Sequence, residues 1–164
     1  MLSKAMLEAI NEQIKNELYS SYLYLSMAAY FESQTLPGFA QWMRVQDGEE
    51  RAHAMKFFDY VYDRGGSVTL QAIDQPPSKF EGPLDVFEKT LAHEKKVTAM
   101  IHHLYELALK DKDYASQVML QWFINEQVEE EKNDTQIIEK LKMVEDKCHG
   151  GLMLDHEMGK RGKD

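Results

Sequence analysis

Five ionisable side chains and one carboxamide recur at spacings that place them within apolar helical stripes instead of beside them. Glu17 follows Ile14 by three residues and Ile10 by seven; Glu50 lies seven after Met43 and seven before Phe57, with His53 three further on. Glu94 lies seven after Phe87 and seven before Ile101, while Gln127 and Glu130 follow Phe123 by four and seven. A helix turns once in about 3.6 residues, so spacings of three, four and seven return to one face. Burying a lone carboxylate costs several kcal/mol, and gathering four adds like-charge repulsion. No lysine or arginine occupies these stripes at that level, so a divalent or trivalent metal is the simplest counter-charge. Oxygen donors with a single imidazole suit iron or manganese, and zinc is also accommodated. Four carboxylates neutralise two divalent ions, which points to a two-metal centre bridged by Glu50. A single Glu-x-x-His is common by chance; the coincidence across four segments carries the reading.

Other residues flank this group. Tyr24 is seven after Glu17 and is open to two roles, core aromatic or neighbour of the metals. Trp122 is one residue off its stripe, which favours packing. Glu49, Glu126 and Glu129 make a second acidic group, either a solvated helix face or a third cation position. Gly48 costs about 1 kcal/mol relative to alanine inside a helix, for no reason visible in the sequence. Histidines 93, 102, 103, 149 and 156 lack a partner pattern and are expected at the surface or an interface.

Four long helices must position these groups. The first runs from about Ser3 to Gln34, its stripe read through Leu7, Ile10, Ile14, Leu18, Ser21, Leu25 and Ala28. The second opens at Thr35 and Pro37 and stops at Gly65-Gly66; the third begins near Gly82-Pro83 and stops near Lys110-Asp111. The fourth, capped by Asp113, extends to about Lys147, and a short fifth spans Leu152 to Met158. Each long segment measures about 40 to 48 Å at about 1.5 Å per residue. The spacing therefore predicts an all-α, four-helix bundle with a long crossover between helices 2 and 3 and a short fifth C-terminal helix, residues 1–164 forming a single domain. Within the crossover, Ser67-Val68-Thr69-Leu70 reads as a short extended piece and Pro76-Pro77 forbids regular structure.

The chain has 164 residues and a formal charge of −9, which repels nucleic acid and anionic membrane and makes cations the natural guests. It lacks both a run of about 18 uncharged apolar residues and a signal-peptide pattern, so a soluble, cytoplasmic protein is expected. Cys148, the single cysteine, excludes intrachain disulfides and cysteine-rich metal sites.

The chain resembles the ferritins, specifically the haem-free type of bacteria and archaea. The likeness runs from Leu-Tyr-Ser-Ser-Tyr-Leu-Tyr at 18–24, through Glu-Glu-Arg-Ala-His at 49–53 and His-Glu at 93–94, to Glu-Gln-Val-Glu-Glu-Glu at 126–131 and the final short helix. It implies a shell of about 24 subunits that oxidises Fe(II) with dioxygen or hydrogen peroxide and stores ferric oxyhydroxide. Carried onto this chain, one iron is held by Glu17, Glu50 and His53, the other by Glu50, Glu94 and Glu130 with Gln127 close by. Tyr24 matches the family's tyrosine near the centre, Trp122 its companion aromatic, and Glu49, Glu126 and Glu129 the third iron site shared with Glu130. Bacterioferritins that bind haem carry methionine where this chain has Arg51, and a second Glu-x-x-His where it has Gln127-x-x-Glu130; no haem is expected. The animal catalytic chain is similar at Gln127 but lacks the carboxylate at 130. The alternative is a DNA-protecting, peroxide-consuming mini-ferritin, whose histidines near the start of the first helix are missing before His53. A rubrerythrin-like peroxidase would need cysteines this chain does not have.

Overall fold

The computed structural model describes residues 1–144 and 148–162, with the backbone alone for Cys148 and His149. It contains α1 (Lys4–Ser33), α2 (Pro37–Asp63), α3 (Pro83–Lys110), α4 (Tyr114–Val144) and α5 (Cys148–Met158), with no strand among the described residues. The breakers act where the sequence places them. Ser3 Oγ accepts from the Met6 N–H at 3.1 Å, Pro37 and Pro83 occupy the first turns of α2 and α3, and Asp113 Oδ1 accepts from the Ser116 N–H at 3.3 Å. Thr35 and Lys112 adopt left-handed backbone at φ 59° and 53° in the tight links α1–α2 and α3–α4, which fold each pair into an antiparallel hairpin.

The crossover runs along α1. The Thr69 N–H donates to Asn11 Oδ1 at 2.7 Å, and Ser26 Oγ donates to the Pro77 carbonyl at 2.7 Å. Asn11 and Ser26 are fifteen residues apart, about 22 Å of helix, so the link spans much of the bundle and leaves α2 and α3 parallel. Ser67–Leu70 forms no strand; Asn11 satisfies its backbone as irregular chain.

The core is divided in two. One cluster joins Leu23, Tyr24, Phe31, Phe39, Met43, Phe87 and Ile137; the other joins Ile10, Ile14, Phe57, Val97, Ile101 and Phe123. On every long helix the stripe passes from one cluster to the other through a buried carboxylate: Glu17, Glu50, Glu94 and Glu130. A polar layer therefore crosses the middle of the bundle.

Two sequence expectations are corrected. Leu25 is exposed rather than part of the α1 stripe. The fifth helix starts earlier, with Gly150 and Gly151 inside it. Its buried contacts are Leu154, Asp155 and Met158, while Leu152 and Met153 face outward. The expected extension of helix 4 to Lys147 falls on residues outside the described ones. α5 docks on the start of α2, where Leu36 supplies no side-chain cap; Asp155 Oδ1 accepts from the Phe39 N–H at 2.9 Å instead. The approach is close enough that a Cβ on Gly38 would lie 1.6 Å from the Asp155 carbonyl oxygen.

Candidate metal centre

Glu17, Glu50 and His53 come together first. Each offers a donor atom, and these atoms lie within 4.8 Å of one another in the buried layer. His53 Nδ1 is 3.4 Å from Glu50 Oε2, the product of their i, i+3 spacing on α2. Gln13, one turn before Glu17, donates from Nε2 to Glu17 Oε1 at 2.7 Å. Among the described residues Glu17 Oε2 is buried without a hydrogen-bond partner, and an unpaired buried carboxylate oxygen is what a cation would satisfy.

Glu94 and Glu130 close the layer from α3 and α4. The Tyr24 hydroxyl donates to Glu94 Oε1, and Gln127 Nε2 donates to Glu94 Oε2 at 3.0 Å, so both carboxylate oxygens are oriented by side chains from other helices. Gln46 Nε2 donates to Glu130 Oε2 at 2.9 Å and to Glu50 Oε1 at 3.2 Å, linking α2 to α4. Tyr24 is fully buried against these acids, which settles its side-chain position beside them.

Burial sets the electrostatics. It drives the carboxyl groups of Glu17 and Glu50 well above the usual carboxylate range, aided by the charge of Glu50 on Glu17 and of Glu94 on Glu50. Burial also raises Glu94, against the hydrogen bonds from Tyr24 and Gln127, and pushes Glu130 up to about 7 with the charge of Glu94 adding to it. Burial and mutual repulsion thus disfavour the charged form of these carboxylates, and a coordinated cation would offset that cost.

The second acidic group is less assembled. Glu126 Oε1 is 3.9 Å from His53 Nε2, Glu49 is paired with Arg161, and Glu129 is exposed. Trp122 is 39% exposed and meets the His53 ring edge-on, with centroids 5.4 Å apart. A surface recess lined by Gly48, Arg51, His53, Lys56 and Trp122 reaches the His53 ring from outside.

Sequence reasoning gave several supporting residues no role. Gln13, Gln46 and Asp134 each sit four residues from a layer glutamate on the same stripe, a signal available in the sequence. His93 departs from the surface expectation: it is half-buried, its Nε2 is 2.7 Å from Ser20 Oγ, and its ring meets Tyr24 edge-on at 6.1 Å. Burial holds it down at about 4, hence neutral. His149 lies outside the described side chains.

Four helices in hairpin, crossover, hairpin order, each directing a carboxylate to one level, define a ferritin-like bundle with an internal carboxylate and imidazole cluster. The ferritin-like domain model matches residues 7–144. The chain belongs to the ferritin family. It is 42% identical over 161 residues to the bacterial non-haem ferritin of Bacteroides fragilis, covering 98% of this chain and all of that one. It is 39% identical over 164 residues to that of Staphylococcus haemolyticus, covering 100% and 99%. Among solved structures it is similar to an open-pore ferritin from the archaeon Archaeoglobus fulgidus, with a TM-score of 0.97 and 50% identity over 98% of this chain and 99% of that one.

Proposed function

We propose that this protein stores iron and is a ferroxidase, oxidising Fe(II) at an intrasubunit di-iron centre and holding the ferric product inside a shell. The observation that carries this reading is the buried meeting of Glu17, Glu50 and His53, with donor atoms within 4.8 Å and one carboxylate oxygen unpartnered. One Fe(II) is bound by Glu17, Glu50 and His53, the second by Glu50, Glu94 and Glu130. Tyr24 and Gln127 hold Glu94 in orientation by donating to its two oxygens. Hard carboxylate donors favour Fe(III) over Fe(II) and so lower the potential of the bound pair. The pair supplies two electrons together, taking dioxygen to hydrogen peroxide, or hydrogen peroxide to water, with two protons consumed. Because metal ligands bind deprotonated, iron binding here is coupled to the release of any proton the ligand carboxyls carry.

Glu49, Glu126 and Glu129, with Glu130, form an accessory iron position through which further iron passes. The exposed apolar side chains Val118, Val128, Leu152 and Met153 support burial against other subunits in a homo-oligomer of about 24 copies. Arg51, at the place where haem-binding relatives carry methionine, supports a shell without haem. The acidic charge of −9 and the lack, among the described residues, of any helix long and apolar enough to cross a membrane support a cytoplasmic protein without nucleic-acid or membrane partners.

Stopped-flow absorbance at two Fe(II) per subunit, with parallel oxygen-electrode traces, tests this reading. Glu50→Ala removes the bridge and should abolish the fast phase. Glu129→Ala should keep that first burst and alter uptake at many Fe(II) per subunit. Survival of the burst in Glu50→Ala rejects the di-iron centre; its complete loss in Glu129→Ala rejects the division into centre and accessory position.

A further inference from the structure

Asp134 has no role in this scheme, yet it is completely buried on α4 and, among the described residues, neither of its carboxylate oxygens has a hydrogen-bond partner. It stands one turn beyond Glu130, and side chains four apart on a helix are neighbours at about 5–6 Å between Cβ atoms. On α2, antiparallel to α4, the residue displaced one turn in the same direction is Gln46, four before Glu50. Its Nε2 donates to Glu130 and Glu50. Its Oε1, on the other side of the amide, is buried and also lacks a partner among the described residues. Burial and the charges of Glu94 and Glu130 push the Asp134 carboxyl up to about 9. Three buried acceptor oxygens thus share one layer, next to Glu130 and one turn from the candidate centre, with nothing among the described residues donating to them. A native interior leaves few such groups unsatisfied, because each gives up its hydrogen bonds to water without replacement.

We propose that Asp134, Glu130 and the carboxamide oxygen of Gln46 form a further divalent-cation position inside the bundle, distinct from the acidic group Glu49, Glu126 and Glu129. The proposal rests on Glu130 being a metal ligand, as the proposed function has it. Two carboxylates neutralise one divalent ion, and an all-oxygen donor set selects hard cations such as Fe(II) and Mn(II) over softer ones. Because Glu130 belongs to both positions, an ion moves between them by exchanging one set of partners while keeping that carboxylate. The competing cation is Arg161, whose Nη1 is buried without a partner among the described residues while its Nη2 holds Glu49; a shift of its guanidinium onto Asp134 would fill the layer without metal.

Mn(II), which is stable in air where Fe(II) is not, is the probe. The metal-free assembled protein and Asp134→Asn, which keeps the shape and removes the charge, are compared by equilibrium dialysis and by anomalous diffraction from Mn(II)-soaked crystals. The expected result is an anomalous peak between Asp134 and Glu130 that disappears in Asp134→Asn, together with the loss of one Mn(II) per subunit. A peak at Glu17, Glu50 and His53 with none at Asp134, and equal Mn(II) counts in both proteins, overturns this inference and leaves the di-iron reading standing. A peak at Asp134 with none at Glu17, Glu50 and His53 supports the inference and overturns that reading. Should Asp134→Asn assemble poorly, Gln46→Leu removes the third donor and is expected to weaken Mn(II) binding at the same position; unchanged binding there overturns the three-ligand set.

Discussion

Arg161 Nη2 lies 2.5 Å from Glu49 Oε2, and the guanidinium stacks 4.2 Å over the Trp42 ring. The segment after α5 therefore returns to α2 and sets a cation on one acid of the proposed accessory position. A partly exposed pair of this kind contributes little to stability, but it competes directly with a metal for Glu49. Arg161→Ala is expected to strengthen accessory binding and speed oxidation beyond the first two Fe(II) per subunit, with the first burst unaltered. Multi-turnover stopped-flow traces superimposable on the parent's would show that Glu49 is not a ligand.

Two glycines on α2 should respond in opposite ways. Gly38→Ala drives a Cβ into the Asp155 carbonyl and should cost about 3 kcal/mol, the upper range for overpacking, while exposing the C-terminal segment to limited proteolysis. Gly48 has no atom within 4 Å of a built Cβ, so Gly48→Ala should gain about 1 kcal/mol from helix propensity alone. Denaturation midpoints compare both with the parent; a destabilised Gly48→Ala would mean that another subunit packs on that face.

The metal-free protein should lose stability as pH rises. Folding raises Asp134 from its ordinary 3.8 to about 9 and Glu130 from 4.5 to about 7. Between those limits the unfolded chain binds fewer protons than the native one, so the slope is negative. It begins near the ordinary carboxylate values and ends near 7 for Glu130 and near 9 for Asp134. Asp134→Asn should therefore flatten the melting-temperature profile most clearly from about pH 7 to 9, measured in chelator. Parallel profiles for the two proteins would show that Asp134 is ionised in the native state.

Assembly and haem content are checked on the purified protein. Twenty-four chains of 19.1 kDa give a particle of about 0.46 MDa by light scattering, and a stable monomer or twelve-subunit shell would exclude that size. Expression with abundant haem should yield no Soret band, whereas one haem per subunit pair would overturn the inference drawn from Arg51.

Asp155→Ala should loosen α5 at a smaller cost. It removes the side-chain acceptor of the Phe39 N–H, a loss of about 1 kcal/mol on the scale of helix caps. Proteolysis after α4 and the denaturation midpoint should change together. An unchanged midpoint would assign α5 docking to Leu154 and Met158 alone.

Much of the site was legible because helix periodicity is a local property. A carboxylate seven residues from core positions on both sides must face the core, whatever the neighbours are; Glu50 and His53 meet through three residues of one helix, and Gln13 reaches Glu17 through four. The α1 stripe shows the limit of that logic. Its buried positions include Ile10, Ile14, Glu17, Ser20, Ser21, Tyr24, Met27, Ala28 and Phe31, and Leu25, one residue beyond Tyr24, turns outward although its side chain is apolar. Which of two adjacent residues faces inward depends on how α1 is rotated against its partners, and those partners are distant in sequence. The same holds for each contact between helices. The Tyr24 hydroxyl finds Glu94 seventy residues away, Gln46 finds Glu130 across eighty-four, and Arg161 finds Glu49 across one hundred and twelve. Spacing along one helix determined which groups enter the core; the packing of the helices alone decided which oxygens are satisfied there and which, at Glu17, Gln46 and Asp134, are left unpaired.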